Sequence, residues 1–294
     1  MNRIAIVTDS TASLPPASYT QLGIVKVPYR VHIGSDSFDD TEDLSTDALC
    51  RHLLSLPDGA ELPRTANPGP GDYVAVFRRL AEKASAILTF HLSSRGSGAF
   101  QAAMVAKGMM QEESPSLRIE VIDTENVSMC HGWLTLIAAR LAAKGASLEA
   151  VLATIREMIP QTHMLQTADT LRYLYMGGRI GRAAHLVSSA LHIKPIVSME
   201  EGEIVTLGVA RTRKRVLRQI AELAAKMSEG RPIRLALTHA MALPEAQTLR
   251  RLVEGLTPVA EVLMCELSPA LLVHSGPGTV GLCSVPALPA HSAI

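Results

Sequence analysis

The amino-acid sequence predicts an α/β protein of two domains. A doubly wound parallel sheet is expected over residues 1–162 and a mixed α/β sheet over residues 163–294. Three observations carry this. In the first half, short apolar runs alternate with stretches whose apolar residues recur at helical spacing, the rhythm of βαβ units. After Pro160 the texture changes, and Glu200-Glu201-Gly202-Glu203 reads as a hairpin turn between two apolar runs. The length of 294 residues suits two domains of ordinary size.

Each element has its own signal. Arg3–Thr8 (RIAIVT) reads as a buried strand, Asp9-Ser10-Thr11 as a turn, and Leu14-Pro15-Pro16 as the opening of a helix. Ile24–Tyr29 is a second strand. Ser45–Ser55 is a helix with Ser45 as its N-cap, because Leu49, Leu53 and Leu56 follow at helical spacing. A helix over Asp72–Ala84, a strand over Ala86–Leu92 and a helix over Gly98–Met110 come next. Ile119–Ile122 is a strand, and helices fill Ser128–Lys144 and Ser147–Met158, the latter capped by Ser147.

In the second half, Thr162–Thr167 reads as a strand and Leu171–Tyr175 as a helical turn broken by Gly177-Gly178. Ala183–Leu191 reads as a helix, and Ile193–Met199 and Ile204–Val209 as the arms of the hairpin. Val216–Met227 is a helix, Ile233–Thr238 a strand, Pro244–Leu256 a helix and Val259–Leu267 a strand. Leu271–His274 is expected as a last short strand before a Gly-Pro-Gly turn.

Composition excludes several functions. Lys+Arg and Asp+Glu balance at 28 each, so no strong net field exists to hold nucleic acid, and aromatics are only 3%, too few for base-stacking platforms. The 47% apolar content argues against disorder. No run of about 20 uncharged apolar residues is present, and the apolar run near the N-terminus is too short for a signal-peptide core. Cys50, Cys130, Cys265 and Cys283 are scattered without a CxxC pair, so neither a zinc site nor a disulfide framework is expected, and no metal. The thiols fit a cytoplasmic protein.

Four stretches carry candidate chemistry. His91-Leu92-Ser93-Ser94-Arg95-Gly96-Ser97-Gly98 is a Ser/Gly turn between a strand and a helix, where hydroxyls and backbone N–H groups hold anions; the plain alternative is a helix cap. Arg64-Thr65-Ala66-Asn67-Pro68-Gly69-Pro70-Gly71 is a rigid loop that fixes Thr65, or an ordinary lead into a helix. Gly177-Gly178-Arg179-Ile180-Gly181 lets backbone approach closely around one guanidinium, or merely breaks a helix. His274 precedes the rigid Gly276-Pro277-Gly278 turn, where an imidazole can donate to an anion, act as a base, or simply bond backbone.

The common enzyme signatures are missing. There is no G-x-S-x-G elbow at Ser94, no P-loop, no dinucleotide fingerprint after the first strand and no HExxH. Anion-holding turns without that machinery favour a binding protein. A basic stretch, Arg211-Thr212-Arg213-Lys214-Arg215, reads as a solvated strand-to-helix turn or as a docking surface.

In order and spacing these pieces resemble the DegV family. The matching residues are Ile6-Val7-Thr8-Asp9-Ser10-Thr11-Ala12-Ser13-Leu14-Pro15, Thr65-Ala66-Asn67-Pro68, His91–Gly98, Gly178-Arg179-Ile180, Ile193-Lys194-Pro195-Ile196 and His274-Ser275-Gly276-Pro277-Gly278. The resemblance runs from residue 4 to about 285. It departs from the family pattern at Ala66, Asn67 and Gly69 in the threonine loop and at Gly96, Ala99 and Phe100 after the serine pair.

The resemblance implies a two-domain α/β protein that buries one long-chain fatty acid, the ligand lying between the domains, and has no catalysis of its own. It implies a carboxylate held by Thr65, by Ser94 with Ser93 or Ser97 as alternatives, and by His274. The fatty acid is the bound ligand and no cofactor is expected. It further implies a separate ATP-binding fatty acid kinase subunit that phosphorylates the carboxylate, with Arg179 at the carboxylate end or the kinase contact; Arg211, in the basic stretch, is expected beside it at the partner or carboxylate contact. Transient membrane contact completes the expected partners. Two other functions stay open: a lipid-sensing regulator without a kinase, and an acyl hydrolase using Ser94 and His274. A buried carboxylate needs hydrogen bonds or a proton, which two hydroxyls and a histidine supply. A C16 tail contributes on the order of 10 kcal/mol before binding costs. The 12 methionines suit a pliable apolar tunnel or are simply core filler.

Overall fold

A computed structural model describes residues 3–40, 42–57, 59–184 and 193–287. The chain opens with β1 (Ile4–Asp9), α1 (Pro16–Leu22) and β2 (Val25–Val27). A small excursion follows: β3 (Arg30–Ile33), β4 (Asp36–Asp39), α2 (Thr46–Ser55) and β5 (Arg64–Ala66). Then come α3 (Pro70–Ala81), β6 (Ala86–His91), α4 (Ala99–Glu113), β7 (Arg118–Asp123), α5 (Met129–Ala143) and α6 (Leu148–Met158). The second half contains β8 (His163–Thr167), α7 (Arg172–Met176), β9 (Lys194–Glu200), β10 (Glu203–Ala210) and α8 (Arg213–Ser228). It ends with β11 (Ile233–His239), α9 (Leu243–Glu254), β12 (Val259–Glu266), α10 (Pro269–Ser275) and β13 (Val280–Pro286).

Strands β2-β1-β6-β7 form an all-parallel sheet. Every residue of β6 is buried, as expected of a parallel strand covered on both faces. Leu88 and Phe90 face a core shared with α5, whereas Ile87 faces one shared with α3 and α4. The sheet is therefore doubly wound. A second sheet, β10-β9-β8-β13-β11-β12, is mixed: β11 and β12 are parallel and the other neighbours antiparallel. Helices α8 and α9 cover its outer face.

Helix α5 lies between the two sheets. Its residues Trp133, Leu134 and Ile137 share a core with Ile6 and Leu88 of the parallel sheet and with Ala236, Cys283 and Val285 of the mixed one. Buried residues occur around its whole circumference, from Met129 to Leu141, which is why its sequence is apolar without a polar face. Gly132 permits close packing here, since a Cβ would stand 2.6 Å from the Ala12 carbonyl oxygen. The result is a layered α/β/α/β/α arrangement held by one continuous central core. All four cysteines are free and buried.

Most expected elements are present with small boundary shifts. Ser45 and Ser147 cap their helices by accepting from Ala48 N–H and Ala150 N–H, both at 3.2 Å. The hairpin turn has Glu201 and Gly202 both at positive φ, the geometry suited to a two-residue turn. One expectation is corrected. Leu271–His274 is not a strand but the body of α10, because Ser268 accepts from Leu271 N–H and Pro269 occupies the first helical turn. Four apolar residues in a row fit either state, and here the cap decides. Strands β3, β4, β5 and β13 were not expected. The helix expected over Ala183–Leu191 lies, from residue 185 onward, outside the described residues.

Candidate functional site

The threonine loop is short β-structure. Thr65 sits in β5, paired with Val31 of β3 in the three-stranded sheet β4-β3-β5. This pairing aims the loop at α10, and Thr65 Oγ1 lies 2.8 Å from His274 Nε2, hydrogen-bonded across 209 residues of sequence. The glycines of the third motif explain themselves at the same point. A Cβ on Gly177 would stand 2.4 Å from His274 Nδ1, so glycine there makes room for the imidazole. Arg179 is exposed, and its Nη1 donates to Gly177 O at 2.6 Å.

The three candidate serines occupy different environments. Ser93 is buried, and its hydroxyl donates to Gly202 O at 2.6 Å in the turn between β9 and β10. Ser94 is exposed, and its N–H is shared by the Asp123 carboxylate oxygens at 3.2 and 3.3 Å. Ser97 is half-buried, with its Oγ 2.6 Å from the Tyr29 phenol and accepting from Ala99 N–H at 3.3 Å. The turn carrying Ser97 meets the threonine loop, since a Cβ on Gly98 would lie 3.2 Å from Asn67 Oδ1.

Thr65, Ser93, Ser94, Ser97, Arg179 and His274 all line one cavity of about 1070 Å³ between the two sheets. Apolar side chains fill much of its remaining wall, among them Leu92, Val127, Met164, Leu171, Leu174 and Ile204. Arg211 does not line it. That residue is exposed in the short link between β10 and α8, where Thr212 caps α8. Arg213 of the same basic stretch turns back, donating to Gly278 O and facing Asp169.

Electrostatics mark this end of the cavity. Burial, with the nearby Arg179 charge second, pushes His274 down to about 4, so its imidazole is neutral at physiological pH. His274 Nδ1 has no hydrogen-bond partner among the described residues. Burial holds the Tyr29 phenol well above its ordinary range and raises Asp40 to about 6. Asp40 accepts from Tyr29 N–H at 3.1 Å and from Ala270 N–H at 3.4 Å, tying the end of the second expected strand to the start of α10.

Sequence reasoning missed Tyr29 and Asp40. A weak signal existed for the first: Tyr29 ends an apolar strand in a chain with five tyrosines. Nothing in the run Asp39-Asp40 distinguishes the second. Among the described residues no group of three or more His, Cys, Asp and Glu is arranged to hold a metal ion. No helix among them is long and apolar enough to cross a membrane.

Comparison with known proteins matches residues 3–287 to a family described as uncharacterised proteins of the DegV family. A DegV domain-containing protein of Streptomyces coelicolor is 33% identical over 281 residues, covering 95% of this chain and 97% of its own. Among solved structures, a DegV family protein of Thermus thermophilus, presented for its fatty acid binding, superposes with a TM-score of 0.89 at 33% identity, covering 97% of this chain and 100% of its own. DegV of Bacillus subtilis, a fatty acid binding protein, superposes with a TM-score of 0.86 at 29% identity, covering 98% and 100%.

Proposed function

The chain belongs to the DegV family, and from that premise we propose that it binds one long-chain fatty acid in this cavity and presents the carboxylate to a separate ATP-binding kinase subunit. One observation carries the binding half of this reading. Thr65 and His274, distant in sequence, are hydrogen-bonded at the wall of a largely apolar cavity that Ser97 also lines. Polar groups gathered in an apolar enclosure suit an amphiphile with one anionic end.

In this reading Thr65, Ser97 and His274 hold the carboxylate. Ser97 is preferred over its neighbours because the Ser93 hydroxyl is already donated to Gly202 O and Ser94 is exposed. The acyl tail lies along Leu92, Met164, Leu174 and Ile204. Arg179, exposed near His274, adds positive charge at the carboxylate end, and Arg211 is available to a partner surface. The reaction itself belongs to the partner, and both proteins act in the cytoplasm. Acyl hydrolysis by Ser94 and His274 is disfavoured, since His274 Nε2 bonds Thr65.

The test is direct. Organic extract of the purified, denatured protein is expected to contain a C14–C18 fatty acid at about one equivalent. The double variant Thr65→Ala/Ser97→Ala is expected to lose palmitate affinity by about a hundredfold while keeping its fold. A clean extract together with no uptake of added palmitate or oleate would remove the binding reading. With kinase and ATP supplied, acyl phosphate is trapped by hydroxylamine as a hydroxamate. Bound lipid without any hydroxamate would leave lipid sensing in place of presentation.

A further inference from the structure

Tyr29 stands on the cavity wall, 5% exposed, packed among Leu92, Ala99 and Ala270. Its backbone is pinned: the Tyr29 N–H is shared between Ser10 Oγ at 3.0 Å and Asp40 Oδ1 at 3.1 Å, and its carbonyl accepts from Asp40 N–H at 2.9 Å. Among the described residues its phenol has one hydrogen-bond partner, Ser97 Oγ, at 2.6 Å.

The direction of that bond follows from counting. Ser97 Oγ has two lone pairs and one proton. One lone pair takes the Ala99 N–H. A phenol is more acidic than an aliphatic hydroxyl and is the better donor. If Ser97 donated instead, the Tyr29 proton would have no acceptor among the described residues, at a cost comparable to a lost hydrogen bond. With Tyr29 as donor, both lone pairs of Ser97 are occupied. Its own proton is then free for a third group in the cavity.

We infer that Tyr29 is a positioning residue for the ligand: its phenol donates to Ser97 and so fixes Ser97 as a hydrogen-bond donor toward the carboxylate. The inference rests on the fatty-acid reading above and deepens it. Tyr29 acts on the ligand's anionic end through Ser97, and its effect is to settle the polarity of that hydroxyl before the ligand arrives. Preorganisation of this kind strengthens binding of an acceptor by removing the need to reorient the donor.

A double-mutant cycle tests this, with palmitate binding measured by calorimetry on the full chain. Tyr29→Phe keeps the ring and its packing and is expected to weaken palmitate binding about tenfold. Ser97→Ala is expected to weaken it at least as much. The decisive arm is Tyr29→Phe/Ser97→Ala, which is expected to bind no more weakly than Ser97→Ala alone. In a Ser97→Thr background, which restores a hydroxyl, the tenfold effect of Tyr29→Phe returns. Equal losses from Tyr29→Phe in the presence and absence of the Ser97 hydroxyl, or no loss in either, overturn the inference while leaving fatty-acid binding intact. Failure of the unmodified chain to take up palmitate overturns both.

Discussion

Two polar clusters among the described residues differ in burial and in where their partners lie: one is fully buried, the other half-buried. The first gathers Asp9, His91 and His131, each 0% exposed, from β1, β6 and α5. Asp9 Oδ1 accepts from the N–H and hydroxyl of Thr11, and its carboxylate lies 3.6 Å from His91 Nδ1 and 4.0 Å from His131 Nδ1. His131 and His91 reach Thr8 and Thr89 hydroxyls at 2.7 and 2.9 Å. Burial alone would raise Asp9, but His131, His91 and Thr11 together outweigh it, and the carboxyl is held below its ordinary value. The second cluster, Thr65, Ser97 and His274, draws on β5, the turn before α4, and α10, and it lines the cavity. Polar burial alone therefore does not mark a site. The sealed cluster packs its groups against one another around one sheet and fixes the turn after β1 through Asp9 Oδ1, while Asp9 Oδ2 and His131 Nδ1 make no hydrogen bond among the described residues. The open cluster spans both halves of the chain and faces the cavity between them.

Breaking the sealed cluster is expected to give the largest effect on stability. Asp9→Ala removes the acceptor of two Thr11 donors and leaves His91 and His131 without their buried partner. The loss is about 3 kcal/mol of unfolding free energy, measured by chemical denaturation. Thr65→Ala should cost less than half of that. Equal costs for the two would erase the distinction between a structural and a functional cluster.

The histidines sharpen the comparison through pH. Burial, then the Arg179 charge, holds folded His274 at about 4, below its ordinary 6.5. Between those values the unfolded chain binds more protons than the folded one, so this group's stability contribution is present above about 6.5 and is lost as pH falls toward 4. Asp40, raised by burial to about 6, works in the opposite direction over an overlapping range, stabilising as pH falls. The His274→Asn variant separates them: its stability should fall less steeply on acidification than that of the unmodified chain, by about 2 kcal/mol across the window. A bound fatty acid should raise the His274 midpoint, read from its ring proton resonances, because a carboxylate favours imidazolium. An unshifted midpoint with palmitate bound would separate His274 from the anion.

Much of this was legible in the residues. The parallel sheet showed in RIAIVT and AILTFH, whose unbroken apolar runs reflect burial on both faces. The Ser45 and Ser147 caps showed because capping is local. Residues of the site could be proposed, but their meeting could not be read from spacing, since Thr65 and His274 are joined only by tertiary packing. Strands β3 to β5 escaped because each is three or four residues long and at least half polar. Tyr29 escaped because its role depends on a hydroxyl 68 positions away.

The smallest effect separates two neighbouring serines. Ser93 and Ser97 lie in one turn, yet their hydroxyls do different work. The Ser93 hydroxyl crosses from the parallel sheet to the β9–β10 turn, where Gly202 has no side chain: a Cβ there would stand 2.6 Å from Ser93 Oγ. Arg95 and Glu203, 3.1 Å apart and largely solvated, add a second tie across the same gap, one of modest strength. Ser93→Ala therefore removes a latch between the halves and leaves the Gly202 carbonyl to other donors, at a cost of about 1 kcal/mol in stability. Palmitate affinity should change by less than about threefold, because the Ser93 proton is committed to Gly202 rather than to the ligand. A loss matching that of Ser97→Ala would exchange the two assignments, making Ser93 the ligand's donor and Ser97 the structural residue.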